Sequence, residues 1–360
     1  MTLPLPPLCR RLGMRYPIFG FSHSPAVVVA LARAGGFGVL GLAREMPDDV
    51  PALLSRLEDE LQGLPYGVDL MLPQNVPAAG GLEALREAVP QGHKDFVRDL
   101  TGRYALPPPR QPSFFTTQVR SEALFNRQIE QVLACKASVV ATAIGVRPEL
   151  ISRARAAGKV TLSLVGSVRH ARKALDLGVD GLVAQGYDAG GHTGPVGTFS
   201  LVPQIVALAP GVPVLAAGGI ATGGQVMASL AMGAQGAWLG TLWMAAAENH
   251  TPQALLQKLI DGQSEDTVIT RAHSGKPCRV IRSEWIDAWS APQAPEPLGM
   301  PMQQALTGDA FTAMHENNDP RLIYEAAGQS VFGITGPTTV ARQMAQLVDE
   351  AERALAALRG

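Results

Sequence analysis

Short apolar runs alternate with amphipathic stretches over most of the 360-residue chain. The apolar runs are nearly continuous, which is typical of strands that are buried on both faces of a parallel sheet. Eight such runs predict strands at Pro17–Gly20, Phe37–Gly41, Tyr66–Met71, Ser138–Ala143, Val160–Val165, Gly181–Gln185, Pro213–Ala217 and Gly236–Gly240.

Most gaps between these runs carry a helical pattern of apolar positions. It predicts helices at Pro25–Ala34, Asp49–Leu61, Pro148–Ala157, Val168–Leu177, Leu201–Ala209 and Gly224–Met232. Several of these helices should end at a glycine, which tolerates a positive φ: Gly35, Gly158, Gly178 and Gly233. Eight alternating units predict an α/β fold, and they favour a closed (β/α)8 TIM barrel over an open doubly wound sheet.

Two segments interrupt the alternation. Residues 72–137 are far longer than one helix requires, and they include a predicted amphipathic helix at Ser121–Ala134. We interpret them as a helical insertion over the barrel mouth. Residues 251–324 are expected to contain polar helices and to form a lid on the substrate side. The barrel itself should comprise residues 1–250 and 325–360, with a last helix at Gly336–Leu358 that packs on the barrel wall.

Composition narrows the class of protein. A formal net charge of −1 gives the chain no general attraction to nucleic acid or to an anionic membrane. No stretch approaches the ~18 uninterrupted apolar residues that a membrane span needs. The cysteines Cys9, Cys135 and Cys278 lack metal-ligand spacing, so we expect reduced thiols, no metal site and a cytoplasmic location. The oligomeric state stays open.

Glycines are concentrated after the last three predicted strands, in Leu182–Gly197, Pro213–Gly224 and Gly236–Thr241. Glycines let backbone N–H groups approach a ligand closely, so three such units predict a phosphate-bearing ligand at several strand ends. His192 lies among the glycines of the first unit. It is a candidate general base or electrostatic partner of an anionic substrate, because an imidazole titrates near neutrality. The alternative is a purely structural histidine.

These segments, AQGYDAGGHTG, AAGGIATGG and GAWLGT, resemble the nitronate monooxygenase (2-nitropropane dioxygenase) family of FMN-dependent TIM barrels. The resemblance continues in YPIFGFSHSPAVVVALARAGGFGVLG, YGVDLM and YEAAGQSVFG, and so covers most of the chain. It implies oxidation of a small alkyl nitronate with O2 as co-substrate, to a carbonyl compound and nitrite. His192 would bind the nitronate oxygens or deprotonate a neutral nitroalkane.

The resemblance also implies a set of cofactor contacts. The backbone of Gly20, Phe21 and Ser22 would run under the flavin ring, Gln185 would contact the ring, and Gly190 and Gly191 would line the cofactor. The remaining implied contacts are Asp69 and Leu239, with Gly218, Gly219, Gly240 and Thr241 on the FMN phosphate.

Three positions depart from the family pattern. Asp69 stands where relatives usually have asparagine, and a carboxylate cannot donate a hydrogen bond unless it is protonated. His23 is unusual in the first-strand loop, where it either faces the cofactor or lies at the start of a helix that Ser22 or Ser24 would cap. Ala143 replaces a histidine that is frequent in the monooxygenases.

Two other functions remain open from the sequence. Flavin-dependent enoyl reductases share nearly the same glycine–histidine loop, so the chain could be an NAD(P)H-dependent FMN reductase of an enoyl thioester or a quinone. His192 would then donate a proton. The glycine loops alone also allow a flavin-free phosphate-binding barrel.

Overall fold

The computed structural model describes residues 3–78 and 80–359. Eight parallel strands close a barrel in the order β1-β2-β3-β4-β5-β6-β8-β9, and three further strands form a small separate sheet. All eight predicted barrel strands are confirmed, and their ends differ from the predicted ones by at most two residues. In chain order the strands are β1 (Ile18–Ser22), β2 (Phe37–Gly41), β3 (Gly67–Met71), β4 (Val139–Ala143), β5 (Val160–Val165), β6 (Gly181–Gln185), β7 (Gly191–His192), β8 (Val214–Ala217), β9 (Ala237–Leu239), β10 (Thr267–Thr270) and β11 (Cys278–Ile281).

Helices surround the barrel and fill the two irregular segments. The helix predicted at Leu201–Ala209 begins earlier, at Thr198, because the Asp188 carboxylate accepts from the Thr198 N–H. The α-helices are α1 (Pro7–Arg11), α2 (Pro25–Arg33), α3 (Val50–Leu61), α4 (Leu82–Ala88), α5 (Gln91–Arg103), α6 (Phe114–Thr117), α7 (Glu122–Ala134), α8 (Pro148–Ala156), α9 (Val168–Asp176), α10 (Thr198–Leu208), α11 (Gly223–Ala231), α12 (Gln253–Asp261), α13 (Glu284–Trp289), α14 (Met302–Asn317) and α15 (Val340–Ala357).

The barrel interior is filled by apolar side chains. Successive residues of a strand point to opposite faces, so alternate positions face the axis. They include Phe19, Val139, Leu162 and Val183, which form one buried cluster with the side chains of α1. Cys9 of α1 donates to the Gln235 carbonyl just before β9, so α1 closes the end of the barrel at which the strands begin. The opposite end is left for a ligand.

The wall helices pack closely where glycine removes a side chain. A Cβ at Gly223 would lie 2.1 Å from the Leu347 carbonyl, so α11 and α15 can approach each other only with glycine there. This contact confirms the predicted packing of the last helix on the barrel wall. The four glycines predicted to end helices all have a positive φ, between +73° and +92°.

The segment 251–324 contains more than the helices that the sequence predicted. β10 and β11 form an antiparallel pair within it, and β11 also pairs with β7, which places Cys278 opposite His192. The short β-branched runs TVIT and CRVI carry this signal, but each is only four residues long. The small sheet therefore ties the glycine loop of the barrel to this segment. Across the described residues, none of the helices combines the length and apolar character needed to cross a bilayer.

Candidate active site

A cavity of about 540 Å³ lies at the end of the barrel where the strands finish. Every barrel strand contributes to its wall, either with its last residues or with the loop that follows. In strand order these contributions include Phe21, Arg44, Asp69, Ala143, Leu164, Gln185, Ala217 and Trp238. Residues 72–137 add Phe115 and Arg120, and residues 251–324 add His273, Ser274, Cys278 and Gln304. The site is thus built by the barrel mouth and both irregular segments together.

The structure brings nearly all of the sequence-predicted site residues to this cavity. His192 lines it with Phe21, Ser22, Asp69, Gln185, Gly190, Gly191, Gly218, Gly219, Leu239, Gly240 and Thr241. Gly20 does not belong to the lining. It faces the helix layer, where a Cβ would lie 2.3 Å from Leu31 and 2.8 Å from the Trp243 ring nitrogen, so its glycine serves packing.

The ends of β8 and β9 form a concave backbone surface. Gly218 and Gly219 have φ values of +105° and +71°, a conformation that side chains rarely adopt. A Cβ at Gly240 would meet no described atom within 4 Å, so this position opens into free space. The Thr241 hydroxyl accepts from the Gly328 N–H at 2.9 Å, which leaves its own proton to donate. Such a surface suits an anionic group.

His192 is a half-buried imidazole at the cavity wall. Its Nε2 lies 2.7 Å from Ser274 Oγ, and its carbonyl accepts from Gln185 Nε2 at 2.9 Å. Burial, with further contributions from His273 and Arg120, lowers the pKa of His192 to about 3. A pKa this low differs from the expectation of an imidazole that titrates near neutrality, and burial is the main cause. At pH 7 it can exchange hydrogen bonds but carries no charge for an anion.

Asp69 is a carboxyl group without a counter-charge. The residue is 4% exposed, and its Oδ2 has no hydrogen-bond partner among the described residues. Burial raises the pKa of Asp69 well above the usual range, which favours the protonated acid. A protonated carboxyl group can donate a hydrogen bond, so aspartate here retains the donor that asparagine would supply.

Replacing Asp69 with asparagine should change how stability depends on pH. Because the pKa of Asp69 is raised on folding, its ionisation favours the unfolded chain, and stability falls as pH rises from about 4 towards the folded pKa. We expect the melting temperature of flavin-free Asp69→Asn, relative to wild type, to increase as pH rises from about 4 towards the folded pKa of Asp69. A difference that stays constant from about pH 4 to 8 would contradict a raised pKa of Asp69.

Sequence analysis missed an ion pair at the cavity. Arg44 Nη1 and Nη2 lie 2.5 and 2.7 Å from the two carboxylate oxygens of Glu325. Burial alone would raise the pKa of Glu325, but the guanidinium outweighs it and holds that pKa below the usual range. His23, beside this pair, contacts the Gly41 carbonyl at 2.9 Å, and burial lowers its pKa to about 4. The sequence signal that could have predicted a role for Arg44 was its position in the loop that follows β2, at the end of the barrel where the site lies.

An eight-stranded barrel whose strand ends converge on one deep cavity, with glycine-lined loops and buried titratable groups, is the architecture of an enzyme. The model of the nitronate monooxygenase family matches residues 14–350. The chain belongs to this family of flavoenzymes, and it is an oxidoreductase.

Individual relatives agree with this assignment. The chain is 41% identical to a Mycobacterium tuberculosis protein named "Putative monooxygenase Rv1533", over 88% of this chain and 84% of that protein. It is 28% identical to a Staphylococcus aureus protein named "Probable nitronate monooxygenase", over 90% and 91% of the two chains. Among solved structures, nitroalkane oxidase from Streptomyces ansochromogenes has a TM-score of 0.82 and 28% identity, with 98% and 99% coverage. FabK from Thermotoga maritima, at 24% identity and a TM-score of 0.75, shares the fold.

Proposed function

We propose that the protein is an FMN-dependent nitronate monooxygenase that oxidises alkyl nitronates with O2 to a carbonyl compound and nitrite. The observation that carries this proposal is one cavity that contains both a backbone surface suited to a phosphate and a neutral imidazole, His192. Family membership supplies the flavin chemistry.

The residues of the cavity fit FMN. Gly218, Gly219, Gly240 and Thr241 would hold the phosphate, since the space at Gly240 and the free proton of Thr241 suit a dianion. Asp69 Oδ2 has no hydrogen-bond partner among the described residues, so it is a buried polar atom that a ligand could hydrogen-bond. We assign this contact to the flavin. When bound, FMN would supply the redox chemistry with the substrate and with oxygen.

The remaining residues would position the substrate and exclude water. A neutral His192, fixed by Ser274, is a weak base, so this cavity favours a substrate that arrives as the nitronate rather than as the neutral nitroalkane. We also propose that residues 1–250 and 325–360 form the barrel, with residues 72–137 inserted over its mouth, and that residues 251–324 form a lid on the substrate side. Phe115 and His273, one from each segment, line the cavity and support this division.

Replacing His192 with alanine should separate the two substrate forms. Turnover of 2-nitropropane should already be slow in wild type, because His192 is a weak base, and it should fall by about 100-fold more when that base is lost. Turnover of propyl-2-nitronate should fall by only about 5- to 10-fold, the value of one neutral hydrogen bond. The measurement is steady-state oxygen uptake with each substrate. His170→Ala, on the exposed face of α9, is the matched control, and wild-type rates for His192→Ala with both substrates would refute the assignment.

The proposed reaction is tested by its products. Aerobic enzyme with propyl-2-nitronate should consume oxygen and form acetone and nitrite. Fast oxidation of NADH or NADPH coupled to reduction of an enoyl thioester or a quinone, without nitrite, would instead establish the reductase. A protein that takes up no added FMN would establish a flavin-free barrel.

A further inference from the structure

Arg120 is a buried guanidinium at the cavity wall, and no acidic side chain among the described residues pairs with it. The residue is 5% exposed, and it follows α6 within the insertion of residues 72–137. It donates to Gln304 Oε1 and to the Ala43 carbonyl, both of which are neutral acceptors. Its guanidinium lies over the Phe114 ring, 5.1 Å from the ring centroid. Within the described residues it forms no ion pair.

The other titratable groups of the cavity do not offset this charge, since burial raises the pKa of the Asp69 carboxyl group and favours its neutral acid. Arg44 is already neutralised by its two contacts with Glu325. Burial lowers the pKa of His192 to about 3 and that of His273 to about 4, so neither ring is charged at pH 7. Burial and the proximity of Arg44 lower the pKa of Arg120 to about 9, which leaves it cationic at neutral pH. The cavity therefore carries a net positive charge at Arg120.

A buried charge that lacks a counter-charge destabilises a protein, and a ligand that supplies the missing charge removes this cost. The guanidinium is planar and carries five N–H donors, of which Gln304 and Ala43 accept two. These two contacts and the Phe114 ring fix the plane of the group and leave N–H donors for a ligand. A fixed guanidinium binds best to a planar anion with two oxygens.

We propose that Arg120 binds the anionic group of the substrate, and that this group is a planar two-oxygen anion, either a nitronate or a carboxylate. The proposal depends on the proposed function only if the anion is a nitronate. Binding of a carboxylate by Arg120 does not depend on it. It transfers the binding of the negative charge from His192, to which the sequence assigned it, to a residue of the insertion. His192 then contributes a hydrogen bond, and Arg120 determines that the enzyme prefers charged to neutral substrates.

The test compares Arg120→Gln with Arg120→Lys in the FMN-loaded protein. Arg127→Gln is the matched control, because Arg127 belongs to the same insertion but lies on α7 at the surface and pairs with Asp48. The equilibrium probes are isobutyrate and its neutral analogue isobutyramide, and their dissociation constants are measured by calorimetry and by perturbation of the flavin spectrum. Propyl-2-nitronate would react with the flavin, so its KM and kcat are measured instead, by steady-state oxygen uptake.

Arg120→Gln should weaken the binding of isobutyrate, and raise the KM of the nitronate, by about 10- to 100-fold, the value of hydrogen bonds to a charged group. Binding of isobutyramide should stay within about twofold of wild type, since one neutral hydrogen bond is a small loss. Arg120→Lys keeps the charge without the planar fork, so it should show an intermediate loss. For the nitronate, KM should rise while kcat changes little. Turnover of the nitronate by wild type identifies the anionic group as a nitronate, and binding of isobutyrate without nitronate turnover identifies it as a carboxylate.

Two results would overturn the role of Arg120: anion affinities in Arg120→Gln equal to those in Arg127→Gln, or a wild-type protein that binds neither anion. Should Arg120→Gln fail to fold, wild-type affinities in Arg120→Lys would also count against it. The proposed function fails separately. A protein that binds isobutyrate through Arg120 but forms no nitrite would keep the inference and lose the nitronate reaction.

Discussion

Gly240→Val should purify as a folded protein that has lost most of its affinity for FMN. A Cβ at Gly240 meets no described atom within 4 Å, and φ there is −123°, outside the left-handed region that favours glycine. The added methyl groups would fill the space that we assign to the phosphate, beside Thr241. Loss of one or two hydrogen bonds to a charged group corresponds to an increase of about 10- to 100-fold in the FMN dissociation constant. Titration of the apoprotein with FMN, followed by flavin fluorescence, measures it.

Gly336→Val is the control for this variant, because Gly336 also has open space around it and lies away from the cavity. Gly219 would be a poorer test position. Its φ of +71° strains any other residue, and a Cβ there would lie 3.0 Å from Asp188. A Gly240→Val protein that retained stoichiometric FMN with wild-type affinity would show that the phosphate binds elsewhere.

Glu325→Gln should destabilise the protein by about 3 kcal/mol, because it leaves Arg44 as a buried charge without its partner. The two side chains are only 23% and 14% exposed, so solvent screens the pair weakly. Urea unfolding of the two proteins measures the difference. The matched control is Glu130→Gln, which breaks a bidentate pair of the same geometry with Arg153 at the surface and should change stability little.

The same pair predicts a pH dependence. The pKa of Glu325 is lower in the folded protein than in the unfolded chain, so its contribution is fully present above about pH 4.5 and is lost as pH falls. Wild type should therefore lose more stability than Glu325→Gln on acidification below that pH. Equal acid sensitivity in the two proteins, or equal stability at pH 7, would contradict a stabilising Arg44–Glu325 pair.

The barrel could be predicted from the sequence because its signals are local. Each strand is a short apolar run. Four helices end at a single glycine that the sequence shows directly: Gly35, Gly158, Gly178 and Gly233. The small sheet could not be predicted with the same ease. β7 has only two residues, which is too short for a periodic pattern. Its pairing with β11 joins positions far apart in the chain, and a local sequence pattern cannot predict such a pairing.

The residues of the site also differ in how well the sequence predicts them. The glycine loops were visible because glycine clusters after strands are rare and have a steric reason. Arg120 gave no such signal, since a single arginine in a long insertion resembles any surface arginine until the fold buries it against Phe114. The neutral state of His192 also depends on burial, which comes from segments distant in sequence. The sequence therefore predicts which chemical groups form the site but does not predict their charge states.

Anaerobic absorbance of the purified, FMN-loaded protein tests the central claim most directly. The protein is mixed separately with propyl-2-nitronate, NADH and NADPH, and the flavin spectrum is followed over time. A nitronate monooxygenase should show reduction of the flavin band by the nitronate and none by either nicotinamide. Rapid bleaching by NADH or NADPH, with no change on addition of the nitronate, would contradict the proposed function.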